Sequence, residues 1–218
     1  MRDMKQARFN MIEQQIRPCD VLEGRILDLL HQVRREHFVP LAQRELAFVD
    51  MEIPLGYGTQ MWFPKLEARV VQDLQIKRSD SVLEIGTGSG YLTALLAALA
   101  RQVTTVEIVP ELSALAQKNL QAYQYSNITF AVGDAAQGWG DETYYDVIVL
   151  TDSTPVLPST FQNKLNVGGR LFAIVGDAPV MQAKLITRLS AEVFSTVNMM
   201  ETSSASLQNA KQPERFVF

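Results

Sequence analysis

The chain has 218 residues, a formal net charge of -4 and 47% apolar residues, with a pI near 5.3. That is enough chain for one domain with a sizeable core, and the acidic balance excludes a broad basic surface for nucleic acid or anionic lipid. Cys19 is the single cysteine, which excludes an intrachain disulfide and argues against a cysteine-built metal site.

The opening stretch MRDMKQARFNMIEQQIRP scatters charge where a signal peptide needs an apolar run. The longest apolar run, ALLAALA at 94–100, is far short of the roughly 20 residues of a membrane helix. A cytoplasmic protein with no membrane or nucleic-acid partner is expected.

Residues 4–16 read as a helix stopped by Pro18. Asp20 is placed to cap a second helix whose apolar stripe is Val21, Leu22, Ile26, Leu29, Leu30 and Val33. Arg34 and Arg35 then read as its solvated end, and His31 and His37, six apart, as surface or cap residues without metal-ligand spacing. Residues 41–63 carry mixed signals and are expected to be mostly irregular. Residues 1–63 thus form an N-terminal helical and loop cap, and residues 64–218 the α/β core of a single domain.

Pro64 suits the first turn of a helix lined by Leu66, Val70, Val71 and Leu74. From there short apolar runs alternate with helical patterns. The strands are SVLEI (81–85), QVTTVEI (102–108), NITFAVG (127–133), YDVIVLT (145–151) and GRLFAIVG (169–176), with a short helix near 158–165 ahead of the fifth. Such alternation predicts a doubly wound, mostly parallel sheet with helices on both faces. After the fifth strand only GDAPV precedes AKLITRL, too short for a parallel crossover. The next strand is therefore antiparallel. FSTVNMME and ERFVF close a sheet of about seven strands.

The strongest chemical signal is VLEIGTGSGY at 82–91, where Gly86, Gly88 and Gly90 follow a strand and open a helix. Glycines there let a backbone approach a ligand closely. A dinucleotide fingerprint needs glycine at 91, where Tyr91 stands, and no Walker lysine follows. Glu84 would repel a pyrophosphate but suits an ammonium or sulfonium. Glu107 ends the next strand, where a ribose diol is held. Asp134 follows the third strand and can accept from an adenine amino group. Three glycines and three acids in this order describe a nucleoside with a cationic amino-acid arm, S-adenosylmethionine.

The same residues resemble the protein-L-isoaspartate O-methyltransferase family of class I methyltransferases. The matching stretches are FVP at 38–40, GYG…P at 56–64, VLEIGTGSGY at 82–91, GD at 133–134 and GW at 138–139, then YDVIVLT at 145–151, LNVGGRL at 165–171 and the terminal RFVF. The resemblance implies a Rossmann-like methyltransferase fold. It also implies S-adenosylmethionine as cofactor, S-adenosylhomocysteine as product, and methyl transfer to the carboxylate of isoaspartyl residues in damaged proteins. The implied cofactor residues are Glu84, Gly86, Thr87, Gly88, Ser89, Gly90 and Tyr91 along the loop, with Glu107 and Ile108 after the second strand and Asp134 and Ala135 after the third.

The sequence departs from the family between Gly58 and Pro64. Relatives read like GQTISQP, and this chain reads GTQMWFP. Trp62 stands in the serine's place and Gln60 in the threonine's. Thr59 and Gln60 are the candidates for an orienting catalytic role, and Gln60, Met61, Trp62, Asp152 and Ser153 for substrate contact. Three readings stay open for Trp62: core packing, a pocket reshaped for a different small acceptor, or a module that binds cofactor without transfer. Asp152 and Ser153 read equally as a turn into Pro155. No metal site or nucleophile elbow is expected.

Overall fold

A computed structural model describes residues 4–140 and 142–213. Seven strands form one sheet: β3 (Ser81–Ile85), β4 (Gln102–Glu107), β5 (Ile128–Val132), β6 (Tyr145–Thr154), β7 (Leu165–Asp177), β8 (Val180–Arg188) and β9 (Phe194–Thr202). Their spatial order is β5-β4-β3-β6-β7-β8-β9. The first five in that order run parallel, and β7, β8 and β9 are joined antiparallel. The short GDAPV link thus makes the expected hairpin. The terminal ERFVF lies outside the described residues.

Chain direction reverses across the sheet beside β3: the path goes outward through β4 and β5, then returns to β6 on the other side. Loops at that point diverge and leave a crevice, where ligands of open α/β sheets bind. The helices α3 (Pro64–Asp73), α4 (Tyr91–Leu99) and α5 (Pro110–Leu120) connect this half, and α6 (Ser159–Asn163) precedes β7.

The strand pleat sorts side chains into two cores. Val82, Val103, Val147, Val149 and Phe172 face a core shared with α3, α4 and the N-terminal cap. Leu83, Ile85, Ile148, Leu150 and Leu171 face a second core with Phe161, Leu165 and Leu207.

The cap holds α1 (Met4–Met11), α2 (Gly24–Gln32) and a small hairpin, β1 (Ile53–Gly56) with β2 (Thr59–Met61). Residues 41–63 are therefore less irregular than expected. The GYG stretch is the reason: Tyr57 and Gly58 have φ of 56° and 79°, the positive pair that a tight hairpin turn requires.

Three local expectations are corrected. Asp20 does not cap α2. It sits at φ 61° after a 3-10 turn, and α2 starts at Gly24. The amides of Leu22 and Glu23 are instead satisfied by Gln72 Oε1 at 2.8 and 3.0 Å, and Leu22 is exposed rather than in the apolar stripe. Arg35 is no solvated helix end: it is fully buried and paired with Glu67.

Candidate active site

Each glycine of the loop has its own reason. Gly86 has φ +94°, and a Cβ there would lie 2.1 Å from Thr151 Oγ1. Thr151 occupies that space because its hydroxyl donates to the carbonyls of Ile85 and Gly86, both at 2.9 Å. Gly90, at φ +84°, meets Ala116 of α5. The loop is thereby pinned from below by β6 and from behind by α5.

Glu107 holds the loop from the side. Its Oε2 accepts from the Gly88 amide at 2.9 Å and its Oε1 from Val109 at 3.0 Å. The carboxylate keeps free lone pairs beside a solvent-open cavity with about 550 Å³ of empty space, open solvent included. That cavity is walled by Gly86, Gly88, Glu107 and Ile108, then by Asp134, Ala135, Thr151 and Asp152, with Thr59 and Gln60 from the hairpin. A second solvent-open cavity, with about 330 Å³ of empty space on the same measure, adjoins it and shares Gln60, Gly86, Gly88 and Thr151. Its other walls include Thr87, Ser89, Leu92, Met61 and Trp62.

Three residues expected along the cofactor are not on these walls: Gly90, which meets α5 instead, Glu84 and Tyr91. Glu84 follows the pleat of Val82 and points between the sheet and α4. Its Oε2 accepts from the Thr93 hydroxyl at 2.6 Å and the Thr105 hydroxyl at 2.7 Å, and Oε1 has no partner among the described residues. Burial pushes the carboxyl up to about 8, against the two hydroxyl bonds and with a small push from Glu107. Tyr91 faces the cap, where Phe38 lies 5.4 Å away and the Arg35 guanidinium 5.2 Å from its ring.

Trp62 has two neighbourhoods. Its ring meets Phe172 edge-on at 5.6 Å, so it packs as core. It also walls the second cavity, while its Nε1 is buried without a partner among the described residues. Thr59 donates its hydroxyl to Gly56 O at 3.3 Å, and the Gln60 amide is engaged by Glu52.

Asp152 lies within β6, not beyond it, and walls the first cavity. Burial, then Glu107 and Glu52, push its carboxyl up to about 7. Ser153 does not reach either cavity. It is fully buried, and its hydroxyl donates to the carbonyls of Ser204 and Ala205.

Those bonds expose what the sequence reading missed. The segment 204–210 docks on the end of β6 through a Ser153–Ser206 bridge and brings Leu207 and Gln208 to the first cavity. Asn209 Nδ2 then donates to Asp134 Oδ2 at 2.8 Å. No local motif announces this. The GD and GW pairs do have a visible link: a Cβ on Gly133 would lie 2.8 Å from the Trp139 ring.

The walls fit a cationic nucleoside. They offer positive-φ glycine backbone and the acids Glu107, Asp134 and Asp152, and among the described residues no lysine, arginine or histidine stands in either lining. Fold and site together define an S-adenosylmethionine-dependent methyltransferase. The sequence profile of the protein-L-isoaspartate(D-aspartate) O-methyltransferase family matches residues 6–210. The chain belongs to that family. A protein-L-isoaspartate O-methyltransferase of Picosynechococcus sp. is 40% identical over 169 residues, 78% of this chain and 76% of that one. Protein-L-isoaspartate O-methyltransferase 2 of Marinobacter nauticus is 36% identical over 189 residues, 86% of each chain. A Plasmodium falciparum chain assigned as a beta-aspartate methyltransferase, solved in complex with S-adenosyl-L-homocysteine, superposes with a TM-score of 0.78. The match covers 95% of this chain and 99% of that one at 18% identity, a likeness of fold.

Among the described residues no helix is long and apolar enough to cross a membrane, and no group of histidine, cysteine, aspartate and glutamate is arranged to hold a metal.

Proposed function

We propose that this chain methylates the α-carboxylate of L-isoaspartyl residues in peptides and proteins. The observation that carries the reading is the family match over residues 6–210, which runs through both walls of the cleft, from the hairpin at Thr59 to Leu207. Glu107 and Ile108 would hold the ribose, Asp134 and Ala135 the adenine, and Gly86 to Ser89 the methionine arm. Glu84 and Tyr91 act behind the loop and not on the ligand. Bound S-adenosylmethionine supplies an electrophilic methyl on a sulfonium.

The acceptor is ionised at neutral pH, so the protein needs no strong base. Its task is positioning, because the reacting atoms must meet at about 3 Å and in line. The hairpin β1–β2 brings Thr59, Gln60 and Met61 to the cleft, where they shape the wall while the Thr59 hydroxyl and Gln60 amide bond within the protein, and the packed apolar cap lies behind it.

The test is transfer of labelled methyl to an isoaspartyl peptide beside its aspartyl isomer. Label on the isoaspartyl peptide alone supports the assignment. No label, with S-adenosylhomocysteine binding intact in the same preparation, overturns it.

One observation favours a second reading, transfer to a different acceptor. Trp62 and Met61 wall the cavity beside the loop, and Glu52 and Asp152 stand nearby without a cation among the described residues. A neutral or apolar acceptor would meet less repulsion there than a carboxylate. Bound cofactor with no turnover on any acceptor would instead mark a binding module.

A further inference from the structure

Three side-chain donors in the wall of the cleft are drawn into the protein. Thr59 donates to Gly56, Thr151 to Ile85 and Gly86, and the Gln60 amide to Glu52. The Trp62 Nε1 is sealed from solvent. Two polar side chains of the same wall, Gln208 and Asp152, make no hydrogen bond or ion pair among the described residues; Gln208 is exposed on the tail segment, while Asp152 is half-buried and fixed within β6. We propose that Asp152, carrying its proton, donates a hydrogen bond to the acceptor carboxylate and so orients it toward the methyl group. The inference rests on the isoaspartyl reading above.

The surroundings favour the protonated carboxyl. Glu107 faces it from β4 and Glu52 from the segment ahead of β1; its own strand neighbours Thr151 and Ser153, and the hairpin's Thr59 and Gln60, are uncharged. Asp134 is the other acid in the cavity wall, and among the described residues no basic residue lines it. Burial and the neighbouring acids raise this carboxyl to about 7; an arriving carboxylate raises it further and the sulfonium of bound S-adenosylmethionine opposes that rise. The O–H bond then lies toward the substrate, and the proton stays on Asp152 while the acceptor oxygen takes the methyl. Above its pKa the same group becomes a negative charge facing a negative acceptor.

The sign is therefore fixed: orientation is present below the Asp152 pKa and lost as pH rises through it. The experiment is the pH profile of kcat/KM for methylation of an isoaspartyl peptide, from about pH 5.5 to about pH 9, in the parent, Asp152→Asn and Asp152→Ala. In the parent kcat/KM falls tenfold per pH unit on the alkaline side. Asp152→Asn keeps an N–H donor and loses that limb. Asp152→Ala is lower by about tenfold or more at acid pH, the loss of one hydrogen bond to a charged group. S-adenosylhomocysteine affinity, measured alongside, separates this loss from damage to the cofactor site. An alkaline limb retained in Asp152→Asn, or parent-like rates in Asp152→Ala, overturns the proposal alone. A parent inactive at every pH, with cofactor bound, overturns the isoaspartyl reading and this inference with it.

Discussion

The guanidinium of Arg35 is fully buried against the carboxylate of Glu67, at the point where the N-terminal cap meets α3. The same guanidinium donates to the carbonyls of Ala47 and Trp62. One side chain thus ties the cap, the residue that follows the hairpin and the helix behind the site.

Truncating one partner of a buried pair strands the other charge, at a cost of about 3–5 kcal/mol. Arg35→Ala is expected to lose that much in urea unfolding, and Arg35→Met with Glu67→Leu to recover a large part of it. A loss under about 1 kcal/mol for the single variant would show that water reaches Glu67.

Glu107 is the carboxylate that both binds the loop and faces the first cavity. Glu107→Ala should weaken S-adenosylhomocysteine binding about 10- to 100-fold in calorimetry, as expected for a lost charge-assisted bond. Parent-like affinity would remove Glu107 from the ribose site.

Glu84 predicts a pH dependence of stability. Its folded pKa is raised to about 8 from an ordinary value of 4.5. Its favourable contribution is thus complete below 4.5 and is lost as pH rises through 8. Thermal unfolding of Glu84→Gln should show a flatter profile across that window and a higher midpoint than the parent at its alkaline end. Parallel profiles for the two proteins would show Glu84 ionised at neutral pH.

Trp62 separates packing from hydrogen bonding. Trp62→Ala should cost about 3–5 kcal/mol through the cavity left against Phe172. Trp62→Phe should cost less than half of that, because no bonded partner loses its donor. Equal losses in urea unfolding would reveal a partner for Nε1.

Much of this architecture is legible along the chain. The apolar runs of β3, β4, β6 and β7 stand out because buried parallel strands need little polar alternation, and β5, the partly exposed edge, by its β-branched and aromatic residues. The positive φ at Gly86, Gly88 and Gly90 is a local demand of the turn, so their spacing announces the loop. Asp20 and Arg35 misled for a common reason. Each sits at a helix end in the sequence, but its role was set by contacts far along the chain. Gln72 satisfied the amides that Asp20 would have capped, and Glu67 drew Arg35 inside.

The acids divide along the same line. Their positions at strand ends follow from the sequence by itself, as do the parallel sheet, the turn to antiparallel strands and the family. Which of them faces a ligand does not. The pleat turns Glu84 toward Thr93 and Thr105, while Glu107 and Asp152 reach the cleft. The tail folds back over β6 to complete the wall with Leu207. Periodicity and backbone φ are properties of neighbouring residues, so the chain alone could determine them. Facing and closure depend on segments distant in sequence that meet in folding, so only the tertiary structure could decide them.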